Sequence, residues 1–519
     1  MTFAATTPPL VPLPVSFDSA PAVRLSAQSR VLAPAELQRE AQELANAIAT
    51  RTGLELAVAE GADGIDGDIV FALETDAPAS TDAPGSADAY RIDTSGGLVS
   101  ISASATAGAF WAMQTLRQLL AQDEDGWYVT GAVIADEPRY AYRGVMLDVA
   151  RHFFGVDDVK RYIDAMSAYK FNVLHLHLTD DQGWRLHSDA YPELTEKASA
   201  SSALGDPGGY YTAADYEEIV SYAASRHMTI VPEVDMPGHT HAVTLAYPEF
   251  TKDTVIMDSV IETAKLFGDD LPVHGTTYTG WGVGFSSLKI NDPATDAFVS
   301  DIFREIASAT PGPFIHLGGD ESLGTTEEDF ASFIAMASRA VQATGKTAIA
   351  WHEAGKAADL APGTIGQYWG FVEPQPGYAE EARAFVAKGG ALILSPADVS
   401  YLDMKPTADY PIGLVWANGP TAVEAAYSWE PTDVISGVAP EAILGVEAPM
   451  WSESARTIDD VFSLAFPRAA AIAEIAWSPQ LSPLRTWESF RGRIASHPQA
   501  WQSERITFHD SEEITWVTA

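Results

Sequence analysis

Short apolar segments recur along the chain from Tyr140 onward, and most are separated from the next by a stretch with helical periodicity. Eight β-then-α units of this kind predict a (β/α)8 barrel, an α/β fold whose active site lies on the loops that follow the strands. Because short apolar runs are ambiguous taken singly, non-periodic alternatives stay open at this point. The predicted strands are 144–149, 172–178, 229–234, 314–318, 347–351, 364–369, 391–395 and 443–448. The helices predicted between or after them are 156–169, 213–226, 295–309, 326–344, 380–388 and 458–476.

Polar and aromatic residues follow nearly every one of these apolar segments directly. In a barrel of parallel strands, the carboxyl ends of all strands open into one mouth, so these side chains are expected to meet there. This placement supports the barrel independently of the periodicity. The residues concerned are Asp148, Arg151, Asp180, Asp181, Asp235, His239, Asp320, Glu321, Trp351, Trp369 and Glu453.

The region before the barrel predicts a smaller α+β domain. Residues 37–50 and 107–120 have the pattern of amphipathic helices, 67–73 that of a strand, and 90–93 with 98–102 that of a hairpin. A polar loop is predicted at 75–87. The domains are therefore predicted at 1–138 and 139–519, with a helix near 487–494 and no recognisable motif in the tail after residue 483.

The charge balance excludes several classes of partner. With 31 Lys and Arg against 71 Asp and Glu, the net charge is −40, which repels phosphate backbones and excludes nucleic acid.

The longest apolar runs are too short to span a bilayer. The chain has no cysteine, so disulfides, thiolate catalysis and sulfur-ligated zinc are excluded. No secretory signal is visible at the start, which favours a cytoplasmic location.

Residues 314–322 (FIHLGGDES) are the most informative stretch. A buried strand ends in two glycines, which let the backbone bend or approach a ligand closely, and two adjacent carboxylates follow. Carboxylates side by side at a barrel mouth repel each other, so one of Asp320 and Glu321 is expected to have a raised pKa and to donate a proton near neutrality. An ordinary acidic loop is the alternative.

Two histidine patterns accompany the carboxylates. Asp235 stands four residues before His239 across a Pro-Gly turn, an arrangement suited to orienting an imidazole. His175 and His177 lie on one face of a predicted strand. Together with His239, His241 and Asp320 they raise the alternative of a metal-dependent barrel hydrolase, which would leave the aromatic residues described next without a role.

Four tryptophans lie at or near predicted strand ends or in the long loop before the last strand. Sugar rings stack their C–H faces on aromatic planes, while their hydroxyl groups require fixed donors and acceptors. Such tryptophans beside polar residues predict a carbohydrate pocket rather than a plain core. The residues are Trp351, Trp369, Trp416 and Trp451, with Tyr401, Asp403 and Glu453.

Five motifs resemble glycoside hydrolase family 20, the β-N-acetylhexosaminidases. Residues 90–120 are similar to the small N-terminal domain of that family, and residues 142–479 to its catalytic barrel. The resemblance implies a carbohydrate substrate, no cofactor and no metal. The motifs are 143–154 (RGVMLDVARHFF), 177–185 (HLTDDQGWR), 233–239 (EVDMPGH), 316–321 (HLGGDE) and 451–453 (WSE).

The resemblance further implies a retaining hydrolysis in which the 2-acetamido group of the substrate is the nucleophile, an exception to the two-carboxylate scheme. It gives Glu321 the acid/base role, Asp320 the acetamide N–H and Tyr401 the acetamide oxygen. Asp180 and His239 support Glu321. Arg143 and Glu453 are expected to hold the distal hydroxyls and so impose exo action, while Trp351, Trp369 and Trp451 wall the pocket, and Asp403 and Trp416 shape its loop side.

Two further alternatives stay open. A carbohydrate-binding protein on an inactive barrel would not require Glu321. Variant activities, such as that of a lacto-N-biosidase or a transglycosylating enzyme, depend on the segments 237–313 and 397–440, whose conformation the sequence does not predict. Gluco or galacto preference, linkage and oligomeric state are also not predicted.

Overall fold

The computed structural model describes residues 8–74 and 86–517, which divide into two compact units. The first comprises the residues up to Ala141, Ala165–Lys170 and the chain from Ala469 onward. The second comprises Tyr142–Asp164 and Phe171–Arg468. Most of the predicted loop at 75–87 lies outside the described residues.

The second unit is built on a closed barrel of eight parallel strands, so the predicted (β/α)8 fold is confirmed. Each strand pairs with the next along the chain, and the eighth pairs with the first. The strands are almost wholly buried, which is why they appear in the sequence as apolar runs rather than alternating ones. Barrel strands 1 to 8 are Tyr142–Asp148, Val173–His177, Thr229–Glu233, Phe314–His316, Thr347–Trp351, Ile365–Tyr368, Leu392–Leu394 and Ile443–Ala448.

Several helices of this part of the chain begin at polar caps. Thr212 and Asp215 form a capping box, and Asp292 accepts hydrogen bonds from the first turn of its helix. The helix predicted at 458–476 is two helices, because Pro467 lacks the N–H that an uninterrupted helix requires. No helix within the described ranges is both long and apolar enough to cross a membrane. The principal helices are Val156–Ser167, Ala213–Ser225, Asp258–Phe267, Pro293–Ala309, Glu327–Ala343, Tyr378–Ala387 and Ile458–Ala465, with short ones at Glu193–Ala198, His241–Ala246, Ala397–Ser400, Val423–Tyr427 and Pro431–Val434.

The first unit contains a seven-stranded mixed sheet and a smaller three-stranded one. Helices Gln38–Thr52 and Thr106–Leu119 contribute the buried faces predicted from their periodicity. Several short strands had no clear alternating pattern and were not predicted. The large sheet has the order Ser16–Ser19, Ala132–Asp136, Tyr90–Asp93, Val99–Ala103, Ile69–Leu73, Arg30–Ala33 and Ala57–Glu60, and the small one Val23–Arg24, Gly126–Val129 and Leu120–Asp123.

The carboxyl-terminal tail belongs to the first unit, which differs from the predicted division at residue 138. Its helices are Arg468–Trp477, Trp487–Ile494 and Pro498–Ser503. Trp477 lies in the apolar core of the first unit, and its indole N–H donates to both oxygens of Asp136 at 3.0 Å. A buried tryptophan far along the chain gives no local sign of the unit it joins, so the sequence could not assign the tail.

Candidate active site

The predicted acid/base residue lies on a strained turn after barrel strand 4. Gly318 has φ +73°, and a Cβ there would collide with Asp235, so only glycine fits. Glu321 itself has φ +44°, a left-handed conformation that is costly for a residue with a side chain. Such strain is typical of functional sites, where the surrounding structure enforces it.

Glu321 has the proton affinity of a general acid near neutrality. Its side chain is 35% exposed, and its Oε2 lies 3.6 Å from His239 Nε2. Burial raises the pKa of Glu321 to about 7; His239 opposes this shift, Asp320 adds to it, and Arg151 opposes it. A carboxyl that is half protonated at pH 7 both gives and takes a proton readily.

Asp180 and His239 form the predicted support for Glu321. His239 Nδ1 lies 3.1 Å from Asp180 Oδ1, and Arg151 donates to Asp180 Oδ2 at 2.9 Å. Burial opposes ionisation of Asp180, but Arg151 and His239 hold its pKa well below the ordinary value. The carboxylate that orients His239 at Nδ1 is therefore Asp180, not Asp235 as the Pro-Gly turn had indicated.

Asp235 instead lies next to Asp320. Its Oδ1 accepts the N–H of Gly319 at 2.9 Å, and one of its carboxyl oxygens lies within 4.8 Å of a carboxyl oxygen of Asp320. Burial, followed by the charge of Asp320, raises the pKa of Asp235 well above its ordinary value. A carboxyl group that holds its proton is neutral and has an O–H, so Asp235 is suited to donating a hydrogen bond to Asp320.

Arg143 does not lie at the mouth, and this prediction needs correction. Tyr142 packs in the barrel interior and Gly144 borders the interior Glu447, so the side chain between them points to the opposite face of barrel strand 1, near its start. Arg151 follows the end of the same strand. It contacts Asp148 and Asp180, and its guanidinium lies 4.9 Å from the centre of the Trp451 ring.

Exchanging the two arginines for methionine separates their roles. Arg151→Met removes a buried charge-assisted contact at the mouth, worth about 1.5–3 kcal/mol, so kcat/KM should fall about tenfold or more. Arg143→Met, in an equally buried side chain, should lower the melting temperature and leave kcat/KM of the folded enzyme within about twofold. Steady-state kinetics and thermal unfolding of both variants check this, and a larger kinetic loss for Arg143→Met would contradict the correction.

The predicted aromatic residues form one wall at the mouth. Trp351 and Trp451 have ring centres 6.0 Å apart, and Trp416 contacts both Trp369 and Tyr401 edge to face at 6.0 and 5.8 Å. Tyr401 also lies 6.2 Å from Trp451. Trp416 is 48% exposed, whereas Trp351 is fully buried, so the wall runs from the barrel interior to the rim.

Asp403, expected to shape the loop side of the pocket, and Glu453, expected to hold distal hydroxyls, lie close enough for their charges to interact. Burial and the neighbouring charge of Glu453 raise the pKa of Asp403 well above its ordinary value. Glu453 Oε2 is buried and has no hydrogen-bond partner within the described residues. A buried acceptor without a partner is costly, so this oxygen is suited to a ligand hydroxyl group.

Glu353 is a site residue that the sequence reasoning missed. It follows barrel strand 5 two positions after Trp351, the same signal that singled out the other mouth residues. Trp369 Nε1 donates to both its oxygens, at 3.1 and 3.0 Å. Burial, then the charge of Asp320, raises its pKa well above the ordinary value, so the carboxyl group is neutral.

A matched pair of substitutions tests the role of Glu353 in holding Trp369. Glu353→Gln keeps an acceptor oxygen and removes no charge, so KM should stay within about twofold of wild type. Glu353→Leu leaves the indole N–H without a partner, and KM should rise about 2–10-fold, the value of one hydrogen bond. Equal effects of the two substitutions on KM would show that Trp369 is held by packing alone.

The histidines considered as metal ligands have other partners. His175 and His177 bind buried carboxylates through both ring nitrogens, and His241 Nε2 binds the carbonyl oxygen of Thr276. Within the described ranges, the closely spaced sets of His, Asp and Glu ligand atoms do not include His241. The set of five residues considered from the sequence is thus not assembled around one point.

Two family models match most of the chain. The model of the glycosyl hydrolase family 20 catalytic domain matches residues 140–329 and 322–480, and that of the family's domain 2 matches residues 7–137. The chain belongs to glycoside hydrolase family 20. This family 20 chain is 40% identical over 439 residues to a β-N-acetylhexosaminidase of Cellulomonas fimi, covering 84% of this chain and 83% of the relative.

Solved family 20 structures superpose over nearly the whole chain. A family 20 β-N-acetylglucosaminidase has a TM-score of 0.89 and 49% identity, covering 98% of this chain and 100% of that one. A mutant Streptomyces plicatus β-hexosaminidase in complex with its product, GlcNAc, has a TM-score of 0.88 and 38% identity, covering 98% of each chain. The chain is therefore a glycoside hydrolase of the β-N-acetylhexosaminidase type, as its motifs indicate.

Proposed function

We propose that this family 20 hydrolase is an exo-acting, retaining β-N-acetylhexosaminidase in which the 2-acetamido group of the substrate is the nucleophile. The observation that carries the proposal is the pairing of two adjacent carboxyl groups with different partners. His239 Nε2 lies 3.6 Å from Glu321 Oε2 and 3.8 Å from Asp320 Oδ2, and Asp320 also faces Asp235, whose pKa its charge helps to raise. One group is thus suited to proton transfer and the other to holding a fixed negative charge.

In the first step, Glu321 donates its proton to the glycosidic oxygen while the acetamide carbonyl oxygen attacks the anomeric carbon. The bond to the leaving group breaks and a bicyclic oxazolinium ion forms. Asp320 accepts the acetamide N–H and compensates the positive charge, and the Tyr401 hydroxyl donates to the acetamide oxygen. An internal nucleophile gains from proximity, which contributes about 7–11 kcal/mol in well-oriented systems.

In the second step, ionised Glu321 takes a proton from water, and the water oxygen attacks the anomeric carbon from the face that the leaving group occupied. The oxazolinium ring opens, the acetamide is restored and Glu321 holds a proton again. Two inversions at one carbon give overall retention. The ion-paired Asp180 keeps His239 directed at Glu321 throughout, through the 3.1 Å contact at Nδ1.

Exo action follows from the charged residues around Arg151. Arg151 replaces Arg143 as the cation there, with Glu453 and Asp403 as buried acceptors for the distal hydroxyls of a terminal sugar. The GlcNAc bound to the Streptomyces plicatus relative supports a terminal N-acetylhexosamine as the substrate. Trp351, Trp369 and Trp451 supply the apolar wall for its C–H faces.

A panel of aryl β-glycosides tests the proposal. The N-acetylglucosaminide should be cleaved at least about 100-fold faster, as kcat/KM, than the glucoside, because the glucoside lacks the internal nucleophile. A thiazoline analogue of the oxazolinium ion should inhibit competitively at concentrations well below KM. Comparable cleavage of the glucoside, or indifference to the thiazoline, would show that the acetamide does not take part. The N-acetylgalactosaminide in the same panel measures the epimer preference.

A further inference from the structure

Polar residues occupy a layer of the barrel interior that branched apolar side chains usually fill. Near the start of the strands the interior is apolar, with Val173, Val231, Ile349, Ile365 and Ile393 in one cluster. The next inward positions on strands 2, 3 and 6 are His175, Glu233 and Gln367, which are polar and fully buried. His316 and Glu447, on strands 4 and 8, are fully buried beside them.

Glu447 is the residue of this layer from which the hydrogen-bonded contacts towards the active site start. Its Oε2 accepts the hydroxyl of Tyr142 at 2.5 Å, and its Oε1 accepts Gln367 Nε2 at 2.7 Å and lies 2.9 Å from His175 Nδ1. A Cβ on Gly144 would stand 2.6 Å from Glu447 Oε2, so glycine at that position leaves room for the carboxylate. Glu447 is therefore built into the interior with every oxygen in use.

From Glu447 the contacts run without a gap to the active site. His175 Nε2 lies 3.1 Å from Glu233 Oε2, and the same oxygen lies 2.5 Å from His177 Nδ1. His177 Nε2 lies 2.8 Å from Asp180 Oδ2. Asp180 is the carboxylate that orients His239, so carboxylates and imidazoles alternate from Glu447 to the partner of Glu321.

The hydrogen-bond pattern sets the charge of each member. An ionised carboxylate only accepts hydrogen bonds, so an imidazole between two carboxylates donates from both nitrogens and is an imidazolium. Consistent with this, and against the opposing effect of burial, Glu447 and Glu233 raise the pKa of His175 to about 9. Glu233 and Asp180 likewise raise that of His177, against burial, to about 10.

Stability alone does not account for such a chain. Replacing buried ion pairs by well-packed apolar side chains is often neutral or stabilising, because burying charges is costly. We propose that His175, Glu233, His177 and Glu447 are positioning residues that keep Asp180 charged and fixed, and thereby set how tightly Glu321 holds its proton. This inference extends the proposed acid/base role of Glu321 to the barrel interior.

The charges around these residues determine the direction in which each substitution shifts the pKa of Glu321. Other groups face the hydrogen-bonded series that runs from Glu447 to Asp180. They are Tyr142 and Gln367 at Glu447; His316 and Asp235 at Glu233; the Trp451 ring at His177; and Arg151, Asp181 and His239 at Asp180. Removing a cation from this set makes Glu321 hold its proton more tightly, and removing an anion has the reverse effect.

Two isosteric substitutions test the proposal through the pH dependence of kcat/KM. His177→Gln removes a cation and keeps a donor for Asp180, so the basic limb should move to higher pH by about half a unit. Glu233→Gln removes an anion and should move the same limb to lower pH by a similar amount. Tyr162→Phe is the control. It removes a buried hydroxyl that donates to the Met146 carbonyl at 3.0 Å and does not belong to the hydrogen-bonded series. The basic limb of this variant should stay in place.

Shifts of opposite sign are the decisive result, since loosened packing would not move the limb upward in one variant and downward in the other. Unshifted limbs, or shifts of the same sign, would overturn the proposal. Whether the basic limb belongs to Glu321 is settled separately by Glu321→Gln, so failure of the proposed function is distinguishable from failure of this inference.

A measurement on the unmodified protein does not depend on activity or on the variants folding. At pH 8 the exposed histidines are largely neutral. In ¹⁵N spectra of histidine-labelled protein, at least three of the 12 histidines should still show both ring nitrogens protonated, namely His175, His177 and His239. Fewer than three such imidazolium spin systems would overturn the proposal.

Discussion

Glu321→Gln should reduce kcat about 10²- to 10⁴-fold on N-acetylglucosaminides with poor leaving groups, because the amide cannot protonate the departing oxygen. Substrates with a very good leaving group need little protonation and should lose much less. The physical basis is the protonated state of Glu321 at neutral pH, since burial raises its pKa to about 7. Steady-state kinetics on a series of aryl glycosides of graded leaving-group pKa measures the difference.

The same substitution should change the pH profile. Wild-type kcat/KM needs the protonated acid, so activity falls as the pH rises above about 7, and this limb should be absent in the Gln variant. Glu327→Gln, which changes an exposed carboxylate at the start of the next helix, should alter neither rate nor profile. Equal losses on good and poor leaving groups would assign Glu321 a role other than proton donation.

The barrel was predictable because its signal is repeated and local. The eight strands are buried, largely apolar runs, and nearly all of them are followed directly by polar or aromatic residues of the mouth, so two independent patterns agreed. The stretch around Asp320 and Glu321 could also be identified from the sequence, because Gly318 and Gly319 mark a turn whose backbone conformation other residue types do not adopt easily. Secondary structure and the position of the mouth follow from such periodicity.

The error at Arg143 has a simple geometric cause. Motif 143–154 contains two arginines, and the role that the resemblance implies was assigned to the first of them. Strand alternation decides it: Asp148 faces the mouth, so residues an even number of positions before it face inward and Arg143 faces outward. Applied to the sequence, this parity argument would have excluded Arg143 and left Arg151, which follows the end of the strand.

Other contacts had no local signal. His175 and Glu447 form a hydrogen bond although they are 272 positions apart in the sequence. Trp369 donates to Glu353, and the two residues follow different barrel strands. Neighbouring strands can be inferred from barrel order, but side-chain depth and hydrogen-bond partners depend on register, which periodicity does not give. The buried polar layer therefore emerged only from the structure.

Asp320→Asn should lower kcat about 10²- to 10³-fold with little change in KM, similar to the loss of a group that stabilises transition-state charge. The amide has the shape of the carboxylate but carries no negative charge to offset the oxazolinium ion. Because the charge of Asp320 also raises the pKa of Glu321, the basic limb should move to lower pH in this variant. Kinetics across pH on one N-acetylglucosaminide measure both effects.

Asp235→Asn is the matched comparison, since it alters the other member of the carboxyl pair. The pKa of Asp235 is raised well above its ordinary value, so its neutral carboxyl group is suited to donating to Asp320, a role that an amide N–H can take over. Its loss should therefore be at least about tenfold smaller than that of Asp320→Asn. The asymmetry discriminates between two accounts of the pair: a charge held on Asp320 predicts it, whereas two carboxyl groups acting only as interchangeable hydrogen-bonding partners predict equal losses. Near-wild-type turnover of Asp320→Asn would contradict acetamide positioning altogether.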